Sequence, residues 1–195
     1  MPRKRGQFEF WALACAVMAA WLVFHLGALM GCMGGCYVDL ESVHGHSVGV
    51  MELIDTRLNT WILAWTQHAL TTSGAALFNA NAFYPAAGSL AGSEHLLGQA
   101  LLGLPLTVFT DNAVLVYNAV LIATYALLGI SSLLFARWLT GSGAIGLAVA
   151  IAAMAMPWRS AELSHLQLLS ACGFPLIWLF VMRLMSGNGT RRDRI

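Results

Sequence analysis

Apolar residues run through this chain in long blocks, with the polar ones gathered between them. The first block is Phe10 to Met33, behind the basic head "MPRKRGQFE"; Ala113 to Ala136, Leu139 to Pro157 and Leu166 to Met182 follow. A bilayer core takes about 20 apolar residues of helix. The blocks therefore predict four transmembrane helices, over about 10–33, 113–136, 139–157 and 166–182. A shorter block, Leu96 to Phe109, holds fourteen residues with Gly98, Gln99, Gly103 and Pro105 among them. That length suits a re-entrant or interfacial helix better than a crossing. No small-residue cleavage site follows a short apolar core near the start, so the first block reads as a retained anchor.

The expected fold class is all-α: a polytopic membrane helical bundle, one domain over 1–195, with a large outer loop over about 34–112 containing amphipathic and re-entrant helices. Composition agrees. Hydrophobic residues make up 58% and charged residues 10%, at a mean hydropathy of +0.71, against roughly 25% charged in soluble domains. A net charge of +1 offers no basic face to nucleic acid.

The positions of the charges orient the chain. If the short block does not cross, eight of the ten Lys and Arg fall on one side: Arg3, Lys4, Arg5, Arg137, Arg183, Arg191, Arg192 and Arg194. If it crosses, only Arg3, Lys4, Arg5 and Arg159 share a side. The positive-inside rule selects the first arrangement, with both termini cytoplasmic. The outer loop then carries Asp39, Glu41, Glu52, Asp55, Glu94 and Asp111, six of the nine acids. A second outer loop, "PWRSAELSHLQ", carries Arg159, Glu162 and His165.

Within the first loop, Leu58, Trp61, Ile62, Trp65 and Ala69 recur at helical spacing, one apolar stripe. Two tryptophans on it suggest a helix in the headgroup plane, with Asn59, Thr66, Gln67 and His68 off the stripe. Asp55 stands where an N-cap would. A capping aspartate is also an oriented, ionised carboxylate, which a general base or metal ligand must be. Downstream, "ALFNANAFYPAAGSLAGSEHLL" mixes polar groups with small residues, and Ser93 is placed to cap a helix starting at Glu94 and His95. Irregular backbone at membrane depth needs protein or a water-filled cavity to satisfy it. Arg57, Asn81, Tyr84, Glu94 and His95 are the polar groups this region offers to a substrate.

Arg159, Glu162 and His165 follow at spacings of three, one face of a helix. Arg159 either makes a weak surface pair with Glu162 or binds an anionic group such as a phosphate, which its planar fork suits. Glu162 or His165 would then be a metal ligand or an orienting group. His44 and His46, near Asp39 and Glu41, read either as plain loop residues or as a transition-metal pair. His25, inside the first block, is expected to face another helix. Cys32 and Cys36 in "GCMGGC" read either as a small disulfide, if their loop faces an oxidising compartment, or as two unpaired thiols among glycines.

In their order these elements resemble the N-terminal half of the GT-C fold membrane glycosyltransferases. The stretches "IDTRLNTWILAWTQHAL", "LFNANAFYPAAGSLAGSEHLLGQALLGLPL", "VYNAVLIATYALLGISSLLFARWLTG" and "MPWRSAELSHLQLLSACGFPLIWL" look like a bacterial subgroup related to the dolichyl-phosphate-mannose mannosyltransferase type. The resemblance covers roughly residues 50–185. It implies transfer of a sugar from a polyprenyl-phosphate donor to an acceptor on the outer face of a bacterial inner membrane. Asp55 falls where the family carries a catalytic base, and Glu162 where it carries the acid of the second loop. Arg159 suits the donor phosphate, and Asp55 with Glu162 a divalent metal ion such as Mg or Mn. Family members usually run to several hundred residues, so the chain is expected to be a fragment, or to work with a partner subunit or a further C-terminal part. The reading from another class is a non-catalytic membrane subunit or transporter-like protein in which Asp55 is only a cap.

Overall fold

The computed structural model describes residues 2–37, 50–72 and 77–186, with side chains left aside at 2–6 and 50–53. His44, His46, Asp39 and Glu41 lie outside the described residues, as does the side chain of Glu52. Among the described residues there is no strand. The helices are α1 (Pro2–Met30), α2 (Val50–Thr72), α3 (Leu97–Gly103), α4 (Ala113–Thr140), α5 (Gly143–Met154), α6 (Pro157–Ala161), α7 (Leu166–Leu169) and α8 (Gly173–Met185). Short 3₁₀ turns cover Ser89–Gly92 and Leu104–Val108.

Four segments are long and apolar enough to cross a membrane: Gln7–Met30, Ala113–Thr140, Gly143–Ala161 and Leu166–Met185. They coincide with the four expected blocks to within a few residues. The 28 residues of α4 make a helix about 42 Å long, and the sequence carries a signal at each of its ends. Asn112 Oδ1 accepts the Leu115 N–H at 3.0 Å, an N-cap contact. At the other end Gly141, at φ 75°, returns its N–H to the Arg137 carbonyl, the left-handed stop that glycine allows. The third segment bends after Met154, because Pro157 lacks an N–H and can only begin a new helical turn. The short apolar run breaks likewise, α3 passing into a 3₁₀ turn with Pro105 near its start.

The chain divides into two compact units. The first comprises Met1–Gly27, Ile122–Arg159 and Ser170–Ile195. In it α4 and α5 approach closely where Gly146 lies against the Leu133 carbonyl, and Gly129 makes room for the sulfurs of Met18 and Met154. The Arg137 guanidinium sits over the rings of Phe10 and Trp11, at 4.9 and 4.8 Å. His25 does not face another helix: it is exposed and stacks at 4.1 Å on Trp21 of its own helix.

The second unit comprises Ala28–Leu121 and Ser160–Leu169. Cys32 and Cys36 are joined in a disulfide with Cα atoms 5.7 Å apart. Asn118 Nδ2 holds this turn through the carbonyls of Met33 and Cys36, both at 2.7 Å. In this unit α2 (Val50–Thr72) departs from expectation at its start. It begins at Val50, so Asp55 lies in its second turn and is not an N-cap. The residues Val50 to Ile54 include neither Pro nor Gly, and Met, Glu and Leu favour helix, so nothing stops the helix upstream. Its buried face is the polar one. Thr56, Asn59, Thr60, Thr66 and Gln67 are buried beside Ile62 and Leu63, while Leu58 is exposed and Trp61 and Trp65 only half-buried. Buried polar groups need partners within reach, and these find them: Thr60 Oγ1 donates to the Thr56 carbonyl at 2.8 Å and Gln67 Nε2 to the Ala100 carbonyl at 3.2 Å.

Candidate functional site

One polar face of α2 brings the two acid-bearing segments together. Asp55 and Asn59, one turn apart, look the same way. Asn59 is buried, and its Nδ2 donates at 2.8 Å to the carbonyl of Ser164, 105 positions downstream. That bond pins the turn between α6 and α7, in which the His165 N–H returns to the Glu162 carbonyl and the His165 carbonyl receives the N–H groups of Leu168 and Leu169. The imidazole is thereby presented to Asp55, with Nε2 3.6 Å from Oδ2. Its other nitrogen, Nδ1, is 2.8 Å from Oε2 of Glu162 and 3.1 Å from the Ser164 hydroxyl. The three side chains are each about one-third exposed, so the cluster is anchored at its backbone and open to a ligand.

The chemistry of this trio is that of a ring set between two acids. Only the doubly protonated imidazole has an N–H on each nitrogen to offer both carboxylates. At 3.6 Å the Asp55 contact is too long for a hydrogen bond; the Glu162 contact, at 2.8 Å, is the one that fixes the ring. Asp55 and Glu162 thus face opposite nitrogens of one imidazole, and among the described residues no three His, Cys, Asp or Glu side chains are grouped to hold a metal ion. The arrangement does not fit a divalent ion shared by the two acids, which the resemblance implies.

Of the two roles expected for Arg159, the surface pair with Glu162 is not formed. The residue is 1% exposed. Its guanidinium lies 4.2 Å from the centre of the Tyr125 ring, whose hydroxyl donates to the Arg159 carbonyl at 3.4 Å. Nε, Nη1 and Nη2 are all buried with no acceptor among the described residues. A cation stacked on an aromatic face is partly compensated, but its five N–H donors remain available to an anion with several acceptor oxygens.

The segment before α3 forms a groove of about 580 Å³, lined by Gly92 to Gln99 and by Gln167. Ser93 does not cap α3, which begins at Leu97; its hydroxyl donates to Glu94 at 3.1 Å. The ring of His95 does the capping, Nδ1 accepting the Leu97 N–H at 3.2 Å. Leu96, between them, is held at φ 46°, a conformation that costs a non-glycine residue about 1–2 kcal/mol. Its buried side chain and the 2.7 Å bond from Thr66 Oγ1 to the His95 carbonyl keep it there. Gln167 closes the far side, Nε2 donating to Glu94 Oε1 at 3.3 Å.

Of the residues that the sequence singles out, Asp55, Glu162 and His165 meet, and Glu94 and His95 share the groove. Arg57, Asn81 and Tyr84 are exposed, Tyr84 almost completely at 97%. Ser164, Gln167 and the structural Asn59 also belong to these sites, although the sequence does not mark them as site residues. Gln167, two positions after His165, is the one that its neighbourhood could flag. Comparison with protein-family profiles, curated proteins and solved structures gave no match.

Proposed function

We propose that this chain is a membrane glycosyltransferase module that moves a sugar from a polyprenyl-phosphate donor to a hydroxyl acceptor, at the face of the membrane opposite its termini. The observation that carries the reading is the convergence of Asp55 and Glu162, from separate segments, on the imidazole of His165. The charge asymmetry of the loops supports the orientation, and the resemblance of the four stretches to GT-C enzymes supports the substrate class.

In this mechanism Asp55 takes the proton of the acceptor hydroxyl, and the oxygen attacks the anomeric carbon of the donor sugar. As the new C–O bond forms, the bond from that carbon to the donor's phosphate oxygen breaks, and its electron pair leaves with the lipid phosphate. The resemblance, and not a measured placement beside Asp55, gives the developing phosphate charge to Arg159, a buried guanidinium with no acceptor among the described residues. Glu162 acts through His165: by holding Nδ1 it keeps the ring, and so Asp55, in one orientation.

The test is Asp55→Asn in membranes supplied with a radiolabelled polyprenyl-phosphate sugar. Expected is a loss of transfer of about 10²–10⁴-fold, the usual contribution of a positioned base, at unchanged membrane insertion. Full transfer by Asp55→Asn would overturn the reading.

A further inference from the structure

We propose that the groove between Ser93 and Gln167 is a saccharide subsite that holds an uncharged sugar ring; that this ring is the acceptor's rests on the transferase reading. The volume, about 580 Å³, lies within the range of small-molecule sites. The chemistry of the lining selects the class. Among the described residues no Lys or Arg lines it, and Glu94 does, so an anion such as a phosphate finds repulsion and no cationic partner. What the lining offers is a set of mixed hydrogen-bonding groups. Glu94 is an acceptor. His95 accepts the Leu97 N–H through Nδ1, which leaves Nε2 as the protonated nitrogen and a donor. Gln167 spends its Nε2 on Glu94, while its Oε1 is buried with no donor among the described residues.

Hydroxyls are the ligand groups that match such a wall, since each both donates and accepts. A ring carrying several of them can meet the carboxylate and the imidazole N–H together, with the Gln167 amide holding Glu94 in place. The groove is also rigid where it counts. Thr66 on α2 holds the His95 carbonyl, and the His95 ring sits edge-on to Phe78 at 6.1 Å. The subsite and the Asp55 cluster share one short piece of backbone, because Gln167 lies two residues beyond His165 in the turn that opens α7.

The probes are methyl glycosides of glucose, mannose and galactose, added to the full chain in nanodiscs, with binding read by saturation transfer from protein to sugar ring protons. Expected is saturation of at least one glycoside, weakened roughly tenfold by Glu94→Gln and by Gln167→Leu, the loss expected for one hydrogen bond involving a charged or buried partner. Thermal unfolding of each variant in detergent confirms that it is folded, and Glu94→Gln, nearly isosteric, keeps the test valid should Gln167→Leu fail to fold. Saturation of none of the three, or saturation unchanged in the Glu94 variant, would overturn the proposal. The two readings fail separately: the subsite is judged only by glycoside saturation of the parent and the Glu94 and Gln167 variants, the base only by sugar transfer in Asp55→Asn. Glycoside saturation that Glu94→Gln weakens, together with full transfer by Asp55→Asn, means that the base assignment fails and the subsite stands.

Discussion

Nε2 of His165 stands 3.6 Å from Oδ2 of Asp55, on a ring whose other nitrogen is hydrogen-bonded to Glu162. The two acids come from segments more than a hundred residues apart, joined by the bond from Asn59 to the Ser164 carbonyl. An aspartate that merely stabilised the start of α2 would sit at its first residues; Asp55 lies in the second turn and faces a titratable partner instead. Its position is not that of a cap.

In the proposed mechanism His165 is a positioning residue. His165→Gln should lower kcat at least tenfold while KM for the polyprenyl-phosphate sugar stays near the parent value, since the ring orients Asp55 without holding the donor. Glu162→Gln, which retains an oxygen to receive the Nδ1 proton, should cost less. Combined with Asp55→Asn, either change should add little, because groups that work as a unit are not additive. Steady-state kinetics on these variants checks this; a pure KM effect in His165→Gln would move the residue to donor binding.

Asn59→Leu should destabilise the protein by about 1–3 kcal/mol, the cost of leaving a buried carbonyl without its donor. The bond it removes is buried and measures 2.8 Å, so the loss is structural and should appear as a lowered unfolding temperature in detergent. Transfer should fall as well, since the turn bearing His165 loses its tether to α2. An unfolding temperature equal to the parent's would show that Ser164 is held by other contacts.

How much of the molecule is legible in its sequence depends on the solvent assumed outside. The four crossing segments follow from length and hydropathy alone, because the bilayer sets a minimum apolar run and nothing else in the chain competes for it. The stripe of Leu58, Trp61 and Trp65 is legible as a face for the headgroup plane, and Leu58 is exposed with the two tryptophans half-buried; what the spacing does not show is that the polar side packs inside the protein. In a chain whose surroundings include lipid, Asn59, Thr66 and Gln67 gain more by turning to internal carbonyls. Asp55, Glu162 and His165 stand out because acids and histidines are scarce here. Ser164 and Gln167 do not, since a hydroxyl or an amide acquires its role only from the backbone that presents it. The burial of Arg159 is equally hidden, because nothing in its spacing shows Tyr125 beneath it.

Two glycines of α3 should respond oppositely to alanine. A Cβ on Gly103 would stand 2.8 Å from Gln67 Nε2 and from Val120 Cγ2, and 3.0 Å from Val116 Cγ1. The β-branched valines have little freedom to yield, so Gly103→Ala should cost about 1–3 kcal/mol. Gly98 has no atom within 4 Å of its would-be Cβ, and Gly98→Ala should stabilise by up to about 1 kcal/mol through helix propensity. Thermal unfolding of the pair in one detergent is the measurement, and equal shifts would mean that α3 is not packed against α2 and α4 as described.

Arg159 offers the sharpest separation of structure from chemistry. A buried guanidinium that served stability would be paired; here its three nitrogens have no acceptor among the described residues, and its compensation is the face of Tyr125. A ring face offsets a buried cation only in part, and the desolvation cost of an ion with no charged partner goes when an apolar side chain of similar length replaces it. Arg159→Met should therefore unfold no earlier than the parent, yet lose transfer by about 10²-fold or more, as removal of a preorganised charge-stabilising group does. Arg159→Lys, which keeps the charge without the planar fork, should fall between. Donor binding and transfer, followed alongside unfolding, distinguish the two roles: a variant that is stable, inserted and fully active would remove the phosphate from Arg159 and leave the buried cation to be explained by packing on Tyr125 alone.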